Sequence, residues 1–466
     1  MILNNTNKEG YILMNMKKWL YTVVAAVITL TSVLTLTACD KKNAENGADK
    51  MNETNNTETT ENVPLTEFDV LTIKDGRFYL EGKPFAEIGY NKFDLFWQPF
   101  EGLYTGGMSS YGYKMDRQEQ ALKELNEMGV RSIRVFCVPH SSDELNDVFW
   151  NENKRENIFF KVLDDMLDLC DKYDIKVVYS LCLTSFRDYS LVNGTWVFGK
   201  DHYRELFSDP ECDARKRMNE YIEIVVGRYK DRKTVLMWEL SNEITNATDI
   251  SADTKIYDGE RMPTLADAAK FYDEAAKKIK EVDPMRLVNS GGGSLRETHW
   301  NQYVNDSWGR DTLEEQYMAM ELLYKDNAVD IIDIHTYTIG SPGSLIYDED
   351  KNDYYITVKD YMDFSERIGK PMMVGEFGLC PSEEWPDLYY TDYSDLERSV
   401  PFMKYTLDML EEAMPQLTYI WQYSSDRPVD QVPGSFTLKK GREGHDELLE
   451  MIMAADKRIK AYYGAE

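Results

Sequence analysis

Eight times from Phe85 onward, a short continuous apolar run gives way to a stretch with helical spacing. No other feature limits the possible folds so sharply. Runs this continuous do not suit a half-exposed strand, and they are too short for helices. Each therefore reads as a parallel strand buried on both faces. The runs are Phe85–Tyr90, Val130–Val138, Ile175–Leu183, Val235–Leu240, Arg286–Ser290, Val329–His335, Pro371–Val374 and Leu417–Gln422. Between them the spacing predicts helices over Met115–Met128, Phe159–Tyr173, Asp213–Tyr229, Leu265–Val282, Leu313–Tyr324, Tyr354–Ile368 and Val400–Met414, and His445–Tyr463 closes the chain as an amphipathic helix. Eight strand–helix units over some four hundred residues fit an α/β chain folded as a (β/α)8 TIM barrel. A doubly wound sheet is the alternative, and it rarely reaches eight regular units. Ahead of the barrel, Leu71 to Phe85 reads as a β-hairpin with Asp75-Gly76 at its tight turn.

The N-terminus reads as an export signal. Met16-Lys-Lys-Trp-Leu is positively charged, and Leu20 to Leu36 is apolar, of signal-peptide length and short for a membrane span. It ends in Leu36-Thr-Ala-Cys39, which resembles a bacterial lipobox with Cys39 as the lipidated residue. From Asp40 to Val63 there are no aromatics and much Asn, Glu, Thr and Lys, so little apolar surface is available to offset chain entropy. The expected organisation is a signal peptide over 1–39, a flexible tether over 40–63 and the (β/α)8 barrel domain over 64–466. The protein is expected outside a bacterial cell membrane, attached through lipid alone.

The formal net charge is −29, and residues 1–39 contribute +2 to it, so the remainder carries −31. Such a surface repels nucleic acid and other polyanions and suits a neutral sugar polymer as partner. A soluble acidic surface with no bearing on the ligand accounts for the charge equally well. Apart from Cys39, the cysteines are five, scattered, and mostly inside apolar runs, which is neither a disulfide framework nor a metal spacing. The five histidines form no paired cluster, so neither a built-in zinc site nor a cofactor is expected.

Chemistry gathers at two strand tips. The run Thr234-Val-Leu-Met-Trp-Glu-Leu-Ser-Asn-Glu-Ile244 ends in Asn242 and Glu243, and Lys370-Pro-Met-Met-Val-Gly-Glu-Phe-Gly378 brings Glu376 to another tip. The C-terminal ends of parallel strands are where such scaffolds bind and react. Two carboxylates there suggest acid/base or nucleophilic work on a glycosidic bond. The plain reading, two glutamates in solvated loops, is opposed by the buried strands that lead into both.

With these tips placed, five motifs from Phe68 to the C-terminus make the sequence similar to clan A glycoside hydrolases, most closely family 5. Trp238-Glu-Leu-Ser-Asn-Glu243 and Val374-Gly-Glu-Phe-Gly378 resemble its fourth- and seventh-strand motifs. Arg134, His335-Thr-Tyr337 and Trp421 match its second, sixth and eighth strands. The resemblance implies Glu243 as acid/base and Glu376 as nucleophile. There are departures. Ile244 follows Glu243 where proline is common, and Ser180-Leu-Cys-Leu-Thr184 lacks the third-strand histidine, for which His140 and His202 are substitutes. Phe207-Ser-Asp-Pro210 and Arg228-Tyr-Lys-Asp231 are similar to the β-mannanase branch. The implied reaction is retaining cleavage of a β-1,4-linked polysaccharide by double displacement, mannan or glucomannan favoured. An endoglucanase of the same family and a non-catalytic carbohydrate-binding lipoprotein are the alternatives. A barrel metallohydrolase is opposed by the lack of clustered ligands.

In this mechanism Glu243 is expected to keep its proton near neutrality through burial and the charge of Glu376, while Arg134 and Tyr337 hold Glu376 ionised. Asn242 either donates to the sugar 2-hydroxyl or closes a turn, and His335 either binds substrate or orients a carboxylate. Of eight tryptophans after the leader, Trp421, Trp97 and Trp196 are read as stacking faces for sugar rings. Trp150, Trp300, Trp308 and Trp385, also in inferred loops, divide between stacking and fastening loops to the barrel. Asn289-Ser-Gly-Gly-Gly-Ser294 lacks the Gly-Lys-Ser/Thr of a phosphate loop, so its glycines are expected to serve a turn leaving the fifth strand.

Overall fold

The computed structural model describes residues 65–108, 112–139, 141–187, 189–192, 195–198, 203–249, 262–337, 347–348, 353–354, 356–378, 396–424 and 437–465. The expected leader with Cys39, the tether, His140, His202, Trp385 and the side chain of Trp196 lie outside what is described.

All eight apolar runs are strands: β1 (Glu87–Asn91), β2 (Ser132–Phe136), β3 (Lys176–Ser180), β4 (Val235–Glu239), β5 (Val288–Asn289), β6 (Ile332–Tyr337), β7 (Met372–Gly378) and β8 (Leu417–Ile420). Each pairs in parallel with its neighbours, and β8 pairs with β1 from Leu417↔Glu87 to Ile420↔Tyr90. A single parallel bridge, Asn289 to Ile331, joins β5 to the start of β6 and completes the ring. The helices between them are α1 (Met115–Glu127), α2 (Lys161–Lys172), α3 (Asp213–Tyr229), α4 (Leu265–Val282), α5 (Leu313–Tyr324), α6 (Val358–Ile368), α7 (Leu396–Ala413) and α8 (His445–Tyr463). Three of them start at a threonine bonded reciprocally to an acid three residues on: Thr264 with Asp267, Thr312 with Glu315, and Thr357 with Asp360. Each pairing satisfies amide donors that the first turn would otherwise leave open.

The hairpin has a third short strand. Thr72–Lys74, Arg77–Leu80 and Lys83–Pro84 run antiparallel, with Asp75 and Gly76 both at positive φ as a tight two-residue turn needs. Its Phe78 and Leu80 pack with Val178, Leu236, Met237, Met373 and Leu417, closing the N-terminal end of the barrel. Gln416 fastens the hairpin by hydrogen bonds to the backbone of Phe78 and Phe85. Burying Phe78 contributes roughly 1.5–3 kcal/mol, so this end is a packed plug and the chemistry is left to the other end.

Three expectations are corrected. The aromatic stretch after β1 is a helix, Asp94–Tyr104, with Pro99 inside it, so Trp97 stands on a helix and not in a loop. The long connection after β3 contains an antiparallel pair, Tyr189–Val192 with Thr195–Phe198. Strand β7 does not stop at Val374 but pairs with β6 as far as Tyr337↔Gly378, so Glu376 sits within a strand. Opposite Ile334 and His335, β7 carries one extra residue, Gly375. A Cβ there would meet the Asp333 carboxylate at 2.5 Å, so only glycine fits, and the bulge brings Glu376 opposite His335.

Candidate active site

The barrel interior near its C-terminal end is polar, and burial there favours groups that find hydrogen-bond partners. Arg134 of β2 is fully buried and donates in four directions. Its Nε and Nη2 bind Glu239 at 2.7 and 2.9 Å, Nη1 reaches Asn91 at 2.9 Å and Glu376 at 2.7 Å, and Nη2 also meets Asn242 Oδ1 at 2.8 Å. Asn289 donates to Glu239 and Asp333, and Asp333 accepts from the Gly375 amide. Burial pushes the Asp333 carboxyl up to about 6, against the opposing charges of His335 and Arg134. Asn91, Glu239, Asn289 and Asp333 are thus site residues that the sequence reading passed over. Their signal was polar residues set into strands otherwise apolar.

Glu376 is 5% exposed and has both oxygens occupied. Oε1 accepts from Arg134, and Oε2 accepts from the Tyr337 hydroxyl at 2.6 Å. The two side chains expected to stabilise its charge are the two that hydrogen-bond to it, and His335 Nδ1 lies 3.7 Å from Oε2. Asn242 presents its carbonyl oxygen to Arg134, which turns its NH2 away from the guanidinium.

Glu243 lies four residues past the end of β4, with φ +50° in the left-handed region that non-glycine residues seldom adopt. Its amide donates to the Gly291 carbonyl at 2.7 Å. A Cβ at Gly291, itself at φ +61°, would fall 1.7 Å from the Ser241 carbonyl, so the glycine turn after β5 lets its backbone close against this tip. Glu243 Oε1 pairs with His335 Nδ1 at 2.9 Å, and Asn246, a further residue missed from sequence, donates to Oε2 at 2.9 Å. His335 thus contacts a carboxylate, one of its two expected roles.

The protonation expected for Glu243 is reversed. Burial pushes its carboxyl up, but the His335 hydrogen bond and charge, with Arg134, outweigh this and hold it below the ordinary value. His335 itself is pulled down by burial, yet Glu376 and Glu243 raise it to about 9. At neutral pH the proton of this pair rests on the ring. The sequence argument counted burial and Glu376 but not an imidazolium beside the acid.

One oxygen or nitrogen from each of Glu243, His335 and Glu376 lies within 4.8 Å of the others, the one such grouping of metal-ligand types among the described residues. The His335 Nδ1 of this grouping is already paired with Glu243 Oε1.

Beside the carboxylates stands an aromatic wall. Phe93 and Trp97 stack at 6.1 Å, Phe93 and Phe136 each lie within 5.9 Å of the Trp421 ring, and Arg134 lies over Phe136 at 4.8 Å. All four rings are half-buried, and the Trp421–Gln422 peptide is cis. Trp150 lies instead beneath Arg217 and against Phe149, a packing role, and Trp308 is exposed.

A family model described as cellulase (glycosyl hydrolase family 5) matches residues 85–424. The chain belongs to glycosyl hydrolase family 5. The barrel itself recurs in solved structures that resemble it. Mannan endo-1,4-beta-mannosidase 7 of Oryza sativa subsp. japonica is 26% identical over 248 residues, 47% of this chain and 58% of that protein, so the match spans less than two thirds of that relative. Mannan endo-1,4-beta-mannosidase 1 of Solanum lycopersicum is 23% identical over 330 residues, 66% of this chain and 73% of its own. Among solved structures, the endo-1,4-beta-mannanase of Rhizomucor miehei aligns with a TM-score of 0.54 at 15% identity, covering 84% of this chain and 99% of that one. The endo-beta-1,4-mannanase of Thermotoga petrophila gives 0.54 at 14%, covering 83% and 78%. At these identities the structures bear on the fold alone, and the barrel is common to all.

Proposed function

We propose that this family 5 hydrolase cleaves β-1,4-linked mannan or glucomannan within the chain, with retention at the anomeric carbon. The observation that carries the reading is the approach of Glu243 and Glu376 to within 4.8 Å, each with its own set of partners. Retaining hydrolysis needs two carboxyl groups roughly 5–5.5 Å apart, whereas inversion needs a wider gap for water. The preference for mannan is supported by the names of the rice and tomato relatives.

In this reading Glu376 attacks the anomeric carbon while the bond to the leaving oxygen breaks. Glu243 supplies the proton to that oxygen. The proton comes to Glu243 from His335, whose Nδ1 lies 2.9 Å from Glu243 Oε1, as the leaving oxygen gathers charge. Water then attacks the glycosyl-enzyme ester, its proton returns to Glu243 and the ring, and Glu376 leaves as carboxylate. Arg134 and Tyr337 donate to the two oxygens of Glu376 and hold it in place. Asn242 is placed to donate to the 2-hydroxyl, and Trp421, Trp97, Phe93 and Phe136 give apolar faces for the sugars.

Incubation with mannan, glucomannan and carboxymethyl-cellulose, beside Glu376→Ala, tests this. Reducing ends are expected from the mannans with the parent protein alone. Release chiefly from carboxymethyl-cellulose moves the substrate to glucan, the second reading, which the cellulase description of the family model favours. Binding without release in either protein leaves a capture protein and ends the enzymatic reading.

We also propose export and lipid attachment at Cys39, on the strength of the charged, apolar and small-residue order that precedes it. Cys39→Ala is expected to abolish incorporation of labelled fatty acid; labelling that persists refutes the attachment site.

A further inference from the structure

The turn that follows Glu243 is held from outside its own loop. Ile244–Ala247 makes a single 3-10 turn, and Asn246 within it bonds Glu243 Oε2. Three carbonyls of this stretch converge on one guanidinium. Arg296, on the connection between β5 and α5, donates through Nη1 to Thr245 O at 3.3 Å and Asn246 O at 3.1 Å, and through Nη2 to Thr248 O. Its remaining Nε donates to Gln302 at 2.8 Å. Its own carbonyl is fixed by Gln316 of α5, also at 2.8 Å. The planar fork of five donors is what lets one side chain bind several carbonyls at once, which a lysine ammonium does less well. Burial pulls the guanidinium down to about 10, with Asp249 and Asp311 opposing, so it stays charged at neutral pH.

We propose that Arg296 is a positioning residue for the acid/base carboxylate, setting the 244–248 turn and, through Asn246, the direction of Glu243. The inference rests on the reading of Glu243 as acid/base. Glu376 takes its hydrogen bonds from Arg134 and Tyr337 and meets His335 Nδ1, the partner of Glu243, only at 3.7 Å. Loss of Arg296 therefore impairs proton delivery and spares attack at the anomeric carbon.

Leaving-group dependence separates these. The full chain, Arg296→Gln, Arg296→Lys and Glu243→Ala are assayed on dinitrophenyl and phenyl glycosides of the sugar that the polymer assay selects, with and without azide, alongside melting temperature. For Arg296→Gln, kcat/KM on the phenyl glycoside is expected to fall roughly 10- to 100-fold. On the dinitrophenyl glycoside, whose leaving group needs no proton, it stays within about twofold, and azide raises kcat, as it does more strongly for Glu243→Ala. Arg296→Lys falls between. Equal losses on both glycosides, with no azide effect, make Arg296 a fold-stabilising residue and overturn the proposal alone. A Glu243→Ala protein that shows no leaving-group dependence overturns the acid/base reading and the proposal with it. If Arg296→Gln does not fold, Gln302→Leu, which frees Nε, carries the same test with a smaller expected loss.

Discussion

The tips of β7 and β4 carry the same functional group and hold it by opposite means. Glu376 is part of a strand, fixed by ladders to β6 and β8, buried, and bonded through both oxygens. Glu243 lies beyond its strand in a left-handed conformation, its side chain 34% exposed, and is placed by His335, Asn246 and a turn held from another loop. The position of Glu376 is inherited from the barrel. The position and charge of Glu243 come from a few side chains, each of which a single substitution can alter. A carboxylate that must attack one defined carbon gains from a rigid seat, while one that gives and takes a proton gains from adjustable neighbours.

That contrast can be broken in steps. Glu376→Ala is expected to cost on the order of 10^5-fold in kcat on every substrate, because no neighbour can supply a nucleophile. For Glu243→Ala the cost is roughly 10^2- to 10^4-fold on poor leaving groups and far less on dinitrophenyl glycosides. Equal losses in the two variants across leaving groups would erase the distinction between the tips. Tyr337→Phe removes one charge-assisted bond to Glu376 and is expected to lower kcat/KM roughly tenfold to a hundredfold with little change in melting temperature. The smallest effect on peak rate belongs to the pH profile of His335→Asn. In the parent protein the pair of His335 and Glu243 keeps its one proton until pH about 9, so the alkaline limb falls near there. Without the ring, the proton must reside on the carboxyl alone, and the limb moves to lower pH. A limb that stays in place would mean that the ring is not the store.

The legible parts of the molecule were those where one period or one tip decided the matter. Eight apolar runs implied eight buried strands, and Glu243, Glu376, Arg134, Tyr337, His335 and Trp421 fall where strand ends meet. Helix Asp94–Tyr104 was missed because Pro99 and a dense aromatic content disguise its spacing. Two other misses did have signals. Ser141 and Glu144 form a capping box ahead of helix Ser142–Phe149, and Asn193-Gly194 separates two alternating segments, the usual mark of a hairpin. The interior network of Asn91, Glu239, Asn289 and Asp333 was hidden for a different reason. Single polar residues inside apolar strands declare a pairing requirement but not the partner, and these partners lie up to 328 positions apart. The charge on His335 was out of reach likewise, since it depends on two carboxylates gathered from β4 and β7.

The stereochemistry of the first product bears most directly on the paired carboxylates. Proton NMR of a freshly started digestion of a β-linked oligosaccharide resolves the new reducing end before it mutarotates. Double displacement through a covalent ester on Glu376 yields the β-anomer first, converting slowly to the equilibrium mixture. The α-anomer appearing first would mean a single inversion by water, and the two oxygens held within 4.8 Å would then have been assigned the wrong chemistry.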